Sequence, residues 1–158
     1  MTSIRPTRPE DSAALLRIAG AEPLFSPEEA ATVDELLTDY LTLADHHGYH
    51  FLTAEIDAQV VGFSCHGPTP MTTGTFDLYW ICVEAEHKGQ GMGKALLARV
   101  EAEVRKSGGR MIMLDTSGRP EYAPTRAFYE HAGYSRTAVI PEFYSPGDDL
   151  VVYTRMLT

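Results

Sequence analysis

The sequence predicts an α+β fold, α/β-like in its order, with helices flanking a mixed sheet. Three observations predict it. Segments of helical period alternate with strand-like runs along the chain. A two-strand hairpin leads that alternation, which a purely parallel sheet would not contain. Two runs, Phe76 to Val83 and Met111 to Asp115, are almost continuously apolar, as strands covered on both faces are.

Each element has a local signature. Ser3-Ile4-Arg5 opens a short strand. A helix starts at Pro9-Glu10-Asp11, carries Ala14, Leu15, Ile18 and Ala19 at helical spacing, and stops at Gly20. Ser26-Pro27-Glu28-Glu29 begins a second helix, with Ser26 as cap, Pro27 in the first turn and Glu29 at capping-box spacing. Its apolar face holds Val33, Leu36, Leu37, Tyr40 and Leu41, and it runs to about Leu43. His50 to Ile56 and Gln59 to Cys65 form the hairpin around Asp57-Ala58. The buried strand Phe76 to Val83 follows. Gly91 to Lys106 is a helix with Leu96, Leu97, Val100 and Val104 inward, stopped by Gly108-Gly109. After the strand Met111 to Asp115, Pro124 to Ala132 is a short helix closed by Gly133. Tyr134 to Ile140 and Leu150 to Met156 are the last strands, joined by a loop from Pro141 to Asp149. The order is β-α-α-β-β-β-α-β-α-β-β.

Length and composition bound the function. The 158 residues suit one domain, 1–158, with a full core. With 44% hydrophobic and 22% charged residues the chain reads as globular. No apolar run approaches the roughly 20 residues of a membrane helix, and Met1 to Arg5 lacks the apolar stretch of a signal peptide. A cytoplasmic location and no membrane partner are therefore expected. The net charge of −9 argues against nucleic acid as a partner and leans towards a cationic substrate. Cys65 and Cys82 lack C-x-x-C spacing and read as buried free thiols. His46, His47 and His50 are interrupted by Gly48 and read as an exposed loop, so no metal is expected.

The chemistry is concentrated in His87-Lys88-Gly89-Gln90-Gly91-Met92-Gly93-Lys94. Three glycines in five residues allow unusual dihedrals and close approach of a ligand. The turn ends at a helix N-terminus, where open N–H groups and the helix dipole favour anions, and two lysines add charge. Phosphate or pyrophosphate fits such a site. A Walker loop fails at both ends, because Lys88 stands five residues before Gly93 and Ala95 follows Lys94. A dinucleotide fingerprint fails where Leu96 replaces its third glycine.

Lys88 to Gly93 resembles motif A of the GNAT superfamily of N-acetyltransferases: Gln or Arg, two variable residues, Gly, one variable residue, then Gly or Ala. Lys88 departs from that pattern, keeping the charge without the planar fork of Arg. Tyr122 to Tyr134 resembles the family's motif B, N-x-x-A-x-x-(F/L)-Y-x-x-x-G-(F/Y). Phe128, Tyr129, Gly133 and Tyr134 match, while Tyr122 and Thr125 depart.

The resemblance implies a mixed, mostly antiparallel central sheet of GNAT type. It implies transfer of an acetyl group from acetyl-CoA to a primary amine of a small molecule or peptide, without a metal. It places the cofactor on Lys88, Gly89, Gln90, Gly91, Met92, Gly93, Lys94, Tyr122 and Arg126, with the oxyanion donor at the backbone of Cys82 and Val83. The strand ending there is expected to splay from Met111–Asp115. Tyr129 is the expected proton donor to the departing thiolate. For the base, Asp77 is the first candidate, on the reading that Asp77, Tyr79, Ile81 and Val83 share one strand face. Glu84 and a water relay stay open. Phe25, Tyr40, Phe143 and Tyr144 are candidate acceptor-pocket residues, and a homodimer is an assembly the resemblance allows. A non-catalytic acyl-CoA-binding module is the second reading. It keeps the turn but needs neither Tyr129 nor a base.

Overall fold

The computed structural model describes residues 1–157, the side chain of His47 excepted. The elements are β1 (Thr2–Pro6), α1 (Ser12–Ala21), α2 (Pro27–Thr42), β2 (His50–Ile56), β3 (Gln59–Pro68), β4 (Thr75–Val83), α3 (Met92–Lys106), β5 (Met111–Ser117), α4 (Ala123–His131), β6 (Ser135–Ser145) and β7 (Asp148–Met156). Their order is the one read from the sequence. No helix among the described residues is long and apolar enough to cross a membrane.

Most local signals act as expected, but Gly20 lies within the last turn of α1, which ends at Ala21 and is capped by Glu22. Ser26 Oγ accepts from Glu29 N at 3.1 Å and starts α2. Asp57 and Ala58, with φ of 49° and 66°, make the two-residue turn between β2 and β3. Of the loop histidines, His46 lies in a short 3₁₀ turn with Nδ1 2.6 Å from Tyr40 O. His50 stacks on His66 instead. His47 lies outside the described side chains.

Seven strands form one sheet in the order β1-β2-β3-β4-β5-β7-β6. Every neighbouring pair is antiparallel except β4 and β5. One face packs against α3, where Leu96, Leu97, Val100 and Val104 join Leu78, Ile112 and Tyr153. The other face packs against α1 and α2, where Leu15, Ile18, Val33 and Leu37 join Phe51, Phe63 and Cys65. Each such side chain contributes roughly 1.5–3 kcal/mol by leaving water.

Two features of β4 position the site. The first is a bulge. Leu78 pairs with His66 and Trp80 with Cys65, so Tyr79 is the extra residue. The parity of the strand therefore changes at Tyr79. Phe76, Leu78 and Val83 belong to the α3 side, with Ile81 packed against them. Cys82 belongs to the α1–α2 side, with Trp80 packed against it. Asp77, Tyr79, Ile81 and Val83 thus do not share a face, because alternation holds only along an unbulged strand.

The second feature is a split. β4 and β5 pair only at Thr75–Met111, Phe76–Ile112 and Asp77–Met113. From Leu78 to Val83 the β5-facing edge of β4 has no ladder. The expected splaying is present, and it leaves backbone open for a ligand lying as an added strand.

The last hairpin differs from expectation. β6 continues to Ser145 and β7 begins at Asp148, so the connection is only Pro146-Gly147. Pro141 is tolerated because β6 is an edge strand, where a missing N–H donor costs no ladder bond. Phe143 and Tyr144 are therefore strand residues and not loop residues.

Candidate active site

A cleft of about 690 Å³ lies where the split meets the glycine turn. Its floor is Ile81 and Val83 of β4. One wall is the turn, with His87, Lys88, Gly89, Gly91, Gly93 and Lys94. The opposite wall is α4, with Phe128 and Tyr129, and the roof is Leu24 and Phe25 of the α1–α2 loop. Tyr122 closes one end, its hydroxyl donating to Leu24 O at 3.0 Å.

The turn has the geometry an anion needs. Gly89 and Gly91 take φ of 79° and 84°, which any side chain would make costly. Gly91 is the N-cap of α3, and no side chain caps that helix. The first N–H groups of α3 are thus left for a ligand. Lys94 makes no ion pair among the described residues. Lys88 Nζ donates to Glu22 Oε2 at 3.0 Å.

Tyr129 is 7% exposed. Its ring meets Phe128, Tyr134 and Tyr153 at centroid distances of 5.1, 5.7 and 6.4 Å. Its hydroxyl has no hydrogen-bond partner among the described residues. Burial pushes this phenol well above the usual tyrosine value, so it stays protonated and able to donate.

Several expected site residues sit elsewhere. The Cys82 side chain turns away, with Sγ 4.0 Å from Ile18 O and its thiol pushed up to about 12 by burial. Only its backbone can serve the cleft. Met92 packs into the core beneath α3, and Gln90 is exposed with Nε2 3.5 Å from Glu86 O. Both can offer backbone N–H alone. Arg126 is committed to Ser117 O and Arg119 O at 2.6 and 2.9 Å, bracing the loop before α4. Tyr40 packs on Phe51 with the α1–α2 core and reaches no part of the cleft.

Asp77 is placed across the sheet from Ile81 and Val83 by the bulge, so it faces the α1–α2 side of the sheet. There it meets other acids. Asp115 is exposed, yet partial desolvation and the neighbouring Asp77 charge raise its carboxyl, and it stands two residues beyond the last β4–β5 pair. Burial raises Glu29 against hydrogen bonds from Ser26 and Trp80. Tyr144 is pushed up to about 12 by burial and by the charges of Asp115, Asp148 and Glu29. Asp115, Asp148 and Glu29 thus form an acidic basin around Tyr144, and Glu29 and Asp148 also act on Tyr122 at the end of the cleft. Phe143 is 55% exposed on the same edge strand and packs edge-on against Tyr144.

Glu84, the second candidate base, has a side chain only 10% exposed. It pairs with Arg17 and lies 3.2 Å from His87 Nδ1. Glu84, Glu86 and His87 also bring three possible ligand atoms within 4.8 Å of one another. Arg17 pairs with Glu84 Oε1 and fastens α1 to the turn, while Glu84 Oε2 and His87 Nδ1 are buried with no hydrogen-bond partner among the described residues.

Sequence reasoning missed Glu22, Glu29 and Asp115. Their roles come from contacts across long sequence separations, for which no local pattern exists.

An open, mostly antiparallel sheet, split beside a helix N-terminus without a side-chain cap, is the frame of an acetyltransferase of the GNAT class. The GNAT acetyltransferase family model matches residues 14–134, and the chain belongs to that family. A GNAT-family protein from Desulfovibrio desulfuricans is 42% identical, with a TM-score of 0.96 over 100% of both chains. An aminoglycoside N(6')-acetyltransferase type 1 of Stenotrophomonas maltophilia is 28% identical over 152 residues, covering 91% of this chain and 93% of its own. An aminoglycoside 6'-N-acetyltransferase solved with coenzyme A shares the fold, with a TM-score of 0.78, 18% identity, and coverage of 99% and 97%.

Proposed function

We propose that this chain transfers an acetyl group from acetyl-CoA to a primary amine of a small, cationic, polyamine-like molecule. The observation that carries the reading is the buried Tyr129 phenol, without a partner, in a cleft continuous with the glycine turn.

The family binds CoA, and the cleft suits it. Pyrophosphate would lie on the N–H groups of α3 and against Lys94, with the pantetheine arm along the open edge of β4. The amine attacks the thioester carbonyl, so a C–N bond forms and the C–S bond breaks. Backbone N–H at Cys82–Val83 would hold the oxyanion. Tyr129 would donate its proton to the thiolate and regain one from solvent. The proton lost by the amine goes to Asp115 directly or through water, since partial desolvation and Asp77 give that carboxylate a raised affinity for protons. The acidic basin supports a cationic acceptor, and so does the likeness to an aminoglycoside acetyltransferase.

The test is thiol release from acetyl-CoA with spermidine, kanamycin, short peptides and an amine-free blank, with products checked by mass spectrometry. Polyamines or aminoglycosides are expected to drive thiol release above the blank. CoA binding without thiol release in any mixture would replace this reading with the binding-module one.

A further inference from the structure

Glu22 follows the last turn of α1 and lines the same cleft as Tyr129. Its side chain is only 10% exposed. One carboxylate oxygen accepts from Leu24 N at 3.3 Å. The other accepts from Lys88 Nζ at 3.0 Å, across 66 residues of sequence. A carboxylate this buried is costly without a cation, and Lys88 supplies it. The lysine of the glycine turn is thereby tied to the α1–α2 loop.

A pyrophosphate entering the turn brings a second anion to Lys88. The two anions compete for one ammonium group, which rides on a flexible, half-exposed stem. Once Lys88 turns to phosphate, Glu22 is left buried without a cation, held by Leu24 N at 3.3 Å and the Cys82 thiol at 4.0 Å. Charge balance then favours a new cation beside it, in the cleft where the acceptor amine must arrive.

We propose that acyl-CoA takes Lys88 from Glu22, and that the released Glu22 carboxylate becomes a subsite for an ammonium group of the acceptor. The proposal rests on the acyl-CoA reading above. It makes donor and acceptor binding mutually reinforcing, since an ammonium group on Glu22 equally frees Lys88 for phosphate.

Glu22→Gln keeps an acceptor oxygen for Leu24 N but removes the hold on Lys88. By calorimetry the variant should bind CoA about fivefold more tightly, the scale of one partly exposed ion pair. Lys88→Ala should weaken CoA, and adding Glu22→Gln to it should change CoA affinity no further. Spermidine should bind wild type more tightly when CoA is present, and this enhancement should vanish in Glu22→Gln. Unchanged or weaker CoA binding by Glu22→Gln overturns the proposal, because the carboxylate would then be orienting Lys88 for phosphate. A spermidine enhancement that survives in the variant overturns it too. Thermal melts confirm that each variant folds. A wild type that binds no CoA would remove the underlying reading, and that is seen before any variant is made.

Discussion

Replacing Tyr129 with Phe separates chemistry from folding at one atom. The ring is held by Phe128, Tyr134 and Tyr153, and all three contacts survive in Phe. The hydroxyl has no hydrogen-bond partner among the described residues, so its loss leaves no group stranded. The expected change in stability is within about 1 kcal/mol of zero, because a buried hydroxyl without a partner is not stabilising. For a chain of this size that is a melting shift of about 4 °C at most. The effect on chemistry is larger. Losing a positioned proton donor lowers kcat by about 10²- to 10⁴-fold, while CoA affinity stays near that of wild type. The assay is thiol release at saturating acetyl-CoA and amine, beside calorimetric CoA binding and a melt. A second expectation comes from burial. Because the phenol is raised well above its ordinary value, the wild-type rate should show no loss from Tyr129 deprotonation up to pH 10. A kcat within threefold of wild type would refute the assignment of Tyr129. So would a collapse in stability, which would make Tyr129 a packing residue.

Further outcomes follow from the same structure. Asp115→Asn should lower kcat, and Glu29→Gln should raise the KM for a polyamine by about fivefold, the worth of one partly exposed charge. With the Asp115 carboxyl raised, wild-type activity should fall on acidification above the ordinary carboxylate range, and steady-state pH profiles would show it. Gly62→Ala should destabilise by about 1–3 kcal/mol, read by denaturant melts, because its methyl would lie 2.8 Å from Cys82 O. His66 is 2% exposed and burial brings its pKa from 6.5 to about 4. The unfolded chain binds that proton first, so stability is full above pH 6.5 and declines towards pH 4. The whole effect is worth about 3 kcal/mol. Its Nδ1 has no hydrogen-bond partner among the described residues. A His66→Phe variant should therefore be less sensitive between those pH values, and identical urea midpoints for both proteins across the range would contradict this.

The element order was legible because each boundary has a local cause. Ser26 caps α2, Asp57-Ala58 turns the hairpin, and the three glycines turn β4 into α3. Periodicity also found both buried strands. The position of Asp77 was not legible, since a bulge is a property of two paired strands and β3 is read separately from β4. The length of β6 was hidden because Pro141 and Gly147 look alike as loop signals. Only pairing with β7 shows that Pro141 sits within a strand edge. Tyr129 and the turn were found from contiguous residues. Glu22 was not, because its partner Lys88 is 66 residues away.

The extra residue at Tyr79 has a consequence for how such a protein changes over time. It makes β4 a partition with assigned sides. On the proposed reading, Ile81 and Val83 face the acyl donor, whereas Asp77 and Trp80 face the acceptor. Substitution on one side leaves the other nearly untouched, so acceptor preference is free to drift while the donor stays constant. Loss or gain of a single residue in this stretch would exchange the two sides at once. The strand is therefore permissive to replacement and intolerant of any change in length.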